Sequence, residues 1–177
     1  MLHIKDNKKK VLELFFDNPT EQFYLRQISR KTKIAVTSVR KYLNELLSEK
    51  MIIKINKWIY PSFKANRDSD DGIFKFYKKL NIIERIYSSG LLDYLEDKCM
   101  PNSIILFGSA SLGEDIENSD IDIFVESDEK KLLLDEFNKK LNRKINIFFE
   151  KDFSRLNKEL KNNISNGIKL RGYLKIF

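Results

Sequence analysis

The chain has 177 residues, of which 42% are hydrophobic and 33% are charged, and its formal net charge is +7. This length allows one large domain or two small ones, and the single cysteine excludes an intrachain disulfide and suits a reducing compartment. No apolar run approaches the roughly 20 residues of a membrane span and the N-terminus lacks a signal-peptide core, so we expect a cytoplasmic protein with no membrane partner.

The positive charge is concentrated in the first 66 residues. Residues 1–66 hold 14 Lys or Arg against 6 Asp or Glu, a net +8, whereas the remaining residues hold 19 against 20. A basic segment joined to a near-neutral one indicates that the basic part binds a polyanion.

Three helices and a hairpin are predicted in this basic part. Apolar residues cluster in 8–16 and 25–31, and they recur at spacings of three and four from Val36 to Leu47. Two β-rich runs, 52–55 and 58–63, surround a predicted turn at Asn56-Lys57. The outer face of the third helix carries polar and cationic side chains, namely Thr37, Ser38, Arg40, Lys41 and Asn44.

This order of elements resembles the winged helix-turn-helix family over most of residues 8–63. A helix about 10–12 Å wide fits the major groove of DNA, so the resemblance implies that the third helix binds double-stranded DNA. Ala35 departs from the Ser or Thr that often caps this helix. An ordinary solvated helix face remains an alternative, and so does RNA as the polyanion. The predicted DNA contacts are Thr37, Ser38, Arg40 and Lys41 on the helix and Lys54 and Lys57 on the hairpin.

The polar stretch 66–72 contains no apolar residue and marks a domain boundary. We divide the chain into residues 1–66, a linker and connecting helix at 67–89, and a second domain at 90–177. Apolar residues from Ile73 to Tyr87 predict a buried or interface helix, which could serve a homodimer. The second domain is predicted to have helices at 91–99, 129–141 and 152–165, strands at 104–107, 121–125 and 145–149, and an extended segment at 168–174.

A chemical motif follows the first of these strands, in the stretch LFGSASLGEDIENSDIDIFV. Asp120 and Asp122 are two apart on a predicted strand, so both side chains point to the same face, about 6–7 Å apart at the backbone. Both carboxylates can therefore reach one divalent ion. Gly108 opens a predicted loop and lets the chain approach a phosphate, and Ser109 offers a hydroxyl.

This motif resembles the nucleotidyltransferase superfamily that includes DNA polymerase β and kanamycin nucleotidyltransferase, and especially its minimal members, over about residues 90–177. The resemblance implies an α/β domain with a small mixed sheet, so that the whole chain is of the α+β class. It also implies that Gly108 and Ser109 bind the phosphates of a nucleoside triphosphate such as ATP, while Asp120 and Asp122 bind Mg²⁺ or Mn²⁺.

The sequence departs from this family's pattern at two positions. The resemblance expects a third carboxylate on the next strand, where this chain has Asn146, and Leu112 stands where Arg or Lys is frequent. An amide cannot act as a base, and one missing charge near a cation costs about 4 kcal/mol at about 4 Å and a dielectric of about 20. We therefore predict a DNA-binding regulator that binds Mg-nucleotide with weak or no transfer. The alternative is an active nucleotidyltransferase that modifies a partner toxin protein or a small molecule.

Overall fold

We describe the fold from a computed structural model of the chain, which describes residues 6–56 and 59–175. The chain forms two compact units, Met1–Lys78 and Lys79–Phe177. Each unit contains helices and a small sheet, so the protein is of the mixed α+β class. None of the helices in the described part has the length and hydrophobicity needed to cross a bilayer.

The first unit combines three helices with a three-stranded antiparallel sheet of order β1-β3-β2. Its elements are α1 Asp6–Asp17, β1 Gln22–Tyr24, α2 Leu25–Thr32, α3 Val36–Ser48, β2 Ile52–Ile55 and β3 Ser62–Ala65. The three predicted helices are confirmed, and they bury most apolar positions of the predicted faces, such as Ile28 of α2 and Val39, Leu43 and Leu46 of α3. Val36, at the start of α3, is exposed.

The hairpin prediction is only partly right. Strand β2 has the predicted bounds, whereas β3 begins at Ser62 instead of residue 58. Pro61 directly precedes β3, and a proline has no backbone N–H for the strand ladder. Strand β1, which has three residues and buries only Phe23, was not predicted. Lys57 and the turn position it occupies lie outside the described residues.

Helix α4 (Ile73–Ser89) confirms the helix predicted at 73–87. It begins after Gly72, where the Asp71 carboxylate accepts a hydrogen bond of 3.2 Å from the backbone N–H of Ile73. Phe74 belongs to the core of the first unit, while Ile82 and Ile86 belong to the core of the second.

The second unit is built on a four-stranded mixed sheet of order β6-β5-β4-β7, in which only the β5–β6 pair is parallel. Its strands are β4 Ser103–Phe107, β5 Ile121–Val125, β6 Ile145–Phe149 and β7 Ile168–Gly172. Its further helices are α5 Leu91–Cys99, α6 Gly108–Leu112, α7 Asp135–Leu141 and α8 Lys158–Ser165, with a 3-10 turn at Phe153–Arg155. The strands predicted at 121–125 and 145–149 are confirmed at the same bounds.

The two faces of this sheet bury different clusters. One face packs the larger core, which includes Ile121, Ile123 and Ile145. The other face packs a smaller cluster of five buried residues, namely Ile105, Phe124, Phe153, Leu156 and Ile164. Alternation along β5 places Asp122 on the face of Phe124. The smaller cluster therefore shares its face with the carboxylate pair.

Three predictions in this unit are wrong. Helix α7 begins at Asp135 rather than at residue 129, because the backbone N–H of Leu133 donates to the hydroxyl of Tyr94 at 2.9 Å instead of extending the helix. The helix predicted at 152–165 is interrupted, and α8 starts only where the Asn157 side chain accepts from the backbone N–H of Leu160. The segment after Gly108, predicted as a loop, forms the short helix α6.

Candidate functional site

The carboxylate pair lies at one end of the second sheet, where β4 ends and β5 and β6 begin. In the strand register, Phe107 of β4 is opposite Asp122 of β5, and Asp122 is opposite Asn146 of β6. Asp120 lies one residue before β5. The sheet thus makes Asn146 the direct neighbour of Asp122.

Asn146 bridges the two carboxylates. Its Nδ2 donates to Asp120 Oδ2 at 2.8 Å and to Asp122 Oδ1 at 3.2 Å. Lys144 Nζ lies 3.8 Å from Asp120 Oδ2, although the Lys144 side chain is 69% exposed. An amide and an ammonium therefore offset part of the negative charge of the pair.

Gly108 is fitted closely against one of these carboxylates. Its φ is +70°, a left-handed conformation that favours glycine, and a Cβ added here would lie 2.6 Å from Asp122 Oδ2. Ser111 Oγ donates to the carbonyl of Gly108 at 2.7 Å and fixes the first turn of α6. Ser109 is half-buried, while Leu112 is largely exposed. The backbone of Gly108 thus approaches Asp122 because no side chain stands between them.

The loop between α6 and β5 is anchored by Arg143, which the sequence analysis did not single out. Arg143 Nη1 lies 3.2 Å from Asp115 Oδ2 and donates to the carbonyls of Ile116 and Ser119. Its side chain is only 7% exposed. The one signal in the sequence was an Arg two residues before a predicted strand in a Lys-rich chain, which is weak.

The donor set at the pair fits a divalent cation that prefers oxygen ligands. Asp120 and Asp122 contribute carboxylate oxygens, and rotation of the Asn146 carboxamide can turn its oxygen toward a cation in place of Nδ2. Within residues 6–56 and 59–175, no group of three or more His, Cys, Asp and Glu could hold a metal. The third ligand available at this site is therefore neutral.

A second surface with predicted site residues lies on α3. Because Val39, Leu43 and Leu46 are buried, the opposite face of the helix points to solvent. Thr37, Arg40 and Lys41 are exposed there and Ser38 is half-buried, and Lys54 is exposed on β2. Ala35 stands at the N-cap of α3 without a side-chain cap hydrogen bond, as its methyl group requires.

A family model described as a nucleotidyltransferase domain matches residues 88–170. The matched range lies within the second unit and indicates that this unit is similar to a nucleotidyltransferase domain. Members of this family generally use a nucleoside triphosphate and a divalent metal ion. The matched range includes Gly108, Asp120, Asp122 and Asn146, which the structure brings together at one end of the sheet. Comparisons with curated proteins and with solved structures found no match.

Proposed function

We propose that the protein is a DNA-binding regulator whose nucleotidyltransferase-family domain binds a metal-nucleotide and transfers the nucleotidyl group weakly or not at all. The observation that carries the proposal is Asn146, which donates to both Asp120 and Asp122 at the sheet position next to Asp122. At this position an amide preserves the geometry of the pair but supplies neither charge nor a base.

Asp120 and Asp122 would bind Mg²⁺ or Mn²⁺, together with the triphosphate of a nucleotide such as ATP. The bound ion would supply positive charge that neutralises the phosphates. The space that Gly108 leaves free is filled by the Asp122 carboxylate, so Gly108 would bring the first turn of α6 next to the ion and its phosphates, and Ser109 would offer its hydroxyl to a phosphate. These residues account for binding and for the orientation of the nucleotide.

Nucleotidyl transfer needs a group that takes the proton from the attacking hydroxyl. Asn146 cannot take that proton because its amide nitrogen already donates to both carboxylates and its amide oxygen is not a base at neutral pH. Lys144, the cation within 4 Å of Asp120, is also a donor. Neither Asn146 nor Lys144 can therefore act as the base that transfer requires.

The proposal of DNA binding rests on the first unit. The three helices and antiparallel sheet present α3 with Thr37, Arg40 and Lys41 exposed. Residues 1–66 carry a net charge of +8. Exposed cations on one helix can displace the counterions of DNA phosphates, and a helix of this kind fits the major groove.

Nucleotide binding is tested by calorimetry with Mn²⁺ and ATP on the natural protein and on Asp120→Ala/Asp122→Ala. The double variant should lose measurable binding, because each carboxylate is worth on the order of 4 kcal/mol to a cation at about 4 Å and a dielectric of about 20. Asp97→Ala/Asp135→Ala removes the same charge from exposed positions of the second unit and should bind as the natural protein does. Equal binding by both double variants would exclude the pair as the site.

Transfer is tested with radiolabelled ATP, GTP, CTP and UTP, first with the protein alone and then with cell extract. We expect little or no label on any acceptor. The alternative function, transfer to a partner toxin protein or a small molecule, is favoured by the family match, which spans the Gly-Ser motif and the carboxylate pair. Robust labelling by the natural protein would establish that alternative and would overturn the proposed loss of transfer.

A further inference from the structure

An exposed aromatic ring, that of Phe148, lies near the carboxylate pair on the same face of the sheet. Phe148 follows Asn146 by two residues on β6, so the two side chains share a face and stand about 7 Å apart along the strand. Although most large apolar side chains of this sheet are buried, Phe148 is 39% exposed.

The ring of Phe148 contacts a buried aromatic ring on the neighbouring strand. It stacks on Phe124 with the ring centroids 6.4 Å apart and the planes 30° apart. Phe124 is fully buried, and Phe153 packs edge-on against it at 6.1 Å. Phe124 thus supports Phe148, and 39% of Phe148 is exposed to solvent.

We propose that the exposed surface of Phe148 stacks on the base of the nucleotide whose phosphates are bound at Asp120 and Asp122. This inference rests on the proposed nucleotide binding. The sugar of a nucleotide separates the base from the phosphates, and the spacing of two strand residues places Phe148 at a matching separation from the pair. Every base has a π face, so stacking here favours nucleotides over free phosphates without strong selection among bases.

The surroundings of Phe148 favour a small polar-aromatic ligand over a protein partner. Along the same face, the positions two residues before and after Phe148 are polar, Asn146 and Glu150, and both are half-buried. Glu150 Oε1 is engaged by the backbone N–H of Asp152 at 3.0 Å. Along β6, the exposed Phe148 ring thus lies between two polar side chains, whereas docking surfaces for proteins need a broader apolar area.

The test compares Mn²⁺-ATP with Mn²⁺-tripolyphosphate, which has no base, in calorimetric titrations of the full chain. Phe148→Ala should weaken ATP binding about 5- to 150-fold, the range that stacking of one base on one aromatic ring supports. Tripolyphosphate binding should not change. Phe148→Leu keeps the apolar contact with Phe124 but lacks the π face, so it should weaken ATP binding while retaining the melting temperature. Phe148→Trp should keep or improve ATP affinity.

Tyr173→Ala is the matched control, because Tyr173 is an exposed aromatic at the other end of the sheet, where its backbone N–H donates to Asn102 O. It should leave both titrations unchanged. If the natural protein binds ATP and Phe148→Leu binds it equally well, stacking is wrong while the proposed function stands. Equal losses for ATP and tripolyphosphate would also overturn it, since they would indicate a structural role for Phe148. A natural protein that binds neither ligand would overturn both proposals.

Discussion

The two units differ in the sign and the arrangement of the charged side chains at their candidate sites. On α3 of the first unit, Arg40 and Lys41 are exposed side by side, so their charge faces outward over a broad surface. In the second unit, Asp120 and Asp122 lie together at one end of the sheet, and both accept a hydrogen bond from the Asn146 amide nitrogen. Charge spread over a helix suits an extended polyanion, whereas carboxylates gathered at one point suit a compact cation. The two arrangements of charge thus match the two proposed functions, DNA binding by α3 and ion binding by the carboxylate pair.

Among the substitutions that test this comparison, Asn146→Asp is expected to have the largest effect, which is on Mg²⁺ affinity. A third carboxylate should tighten Mg²⁺ binding between about tenfold and about a thousandfold, the upper bound being one unit charge at about 4 Å and a dielectric of about 20. Without Mg²⁺ the three carboxylates repel one another, so the melting temperature should fall and should be restored by Mg²⁺. Calorimetric titration and thermal unfolding measure both effects.

Asn44→Asp is the control for that substitution, since it adds the same charge to the exposed face of α3 in the first unit. It should leave Mg²⁺ affinity unchanged and should weaken DNA binding. Unchanged Mg²⁺ affinity in Asn146→Asp would mean that the ion does not bind between β5 and β6.

Arg40→Ala/Lys41→Ala should lower the affinity for random-sequence duplex DNA about tenfold or more at low salt. If each side chain neutralises one phosphate, the slope of log affinity against log salt should also become shallower by about 2. Fluorescence anisotropy at several salt concentrations measures both quantities. Lys130→Ala/Lys131→Ala removes the same charge from exposed positions of the second unit. An equal effect of the two double variants would show that net charge, and not α3, governs binding.

Gly108→Ala and Gly90→Ala form a matched pair. Both glycines have a positive φ. A Cβ added to Gly108 would lie 2.6 Å from Asp122 Oδ2, whereas a Cβ added to Gly90 would have no atom within 4 Å. Both variants should lose about 1–2 kcal/mol of unfolding free energy from backbone strain. Only Gly108→Ala should also lose Mn²⁺ affinity, by about tenfold, the effect typical of displacing a group that positions a ligand. Equal Mn²⁺ affinity in both variants would argue against Asp122 as a ligand.

Lys144→Met should have the smallest effect, a gain in Mn²⁺ affinity of no more than about fivefold. Its ammonium competes with a cation for Asp120, but an exposed ion pair of this kind is worth only about 0.2–1 kcal/mol. The gain should shrink in high salt, and Lys144→Arg should behave as the natural protein does. A loss of affinity in Lys144→Met would assign the lysine to the ligand instead.

The sequence predicted the elements whose signal is local. Strands β5 and β6 have the predicted bounds because each apolar-rich run is flanked by charged residues, Asp120 and Glu126 for β5 and Lys144 and Glu150 for β6. Helix α4 follows its helical spacing. The start of α7 was missed because it depends on Tyr94, 39 residues before Leu133 in the chain. Strand β1 was missed because three residues are too few to show alternation.

The same distinction holds at the site. The Asp120–Asp122 spacing placed both carboxylates on one face, and the strand pattern aligned Asn146 beside them. That the Asn146 amide donates to both carboxylates depends on a rotamer, which spacing does not reveal. The contact of Phe148 with Phe124 depends on the register of β5 against β6, so it could be recognised only after the two strands were paired.

Arg143 has a consequence for the entropy of binding. Arg143 precedes Asn146 by three residues, and its buried guanidinium bonds to the loop that precedes Asp120. It therefore links the two segments that position Asp120 and Asn146. Ordering a free loop would cost about 1–2 kcal/mol per residue in backbone entropy at the moment a ligand arrives. Here the loop before Asp120 is ordered when the protein folds, so the site is preorganised for a ligand.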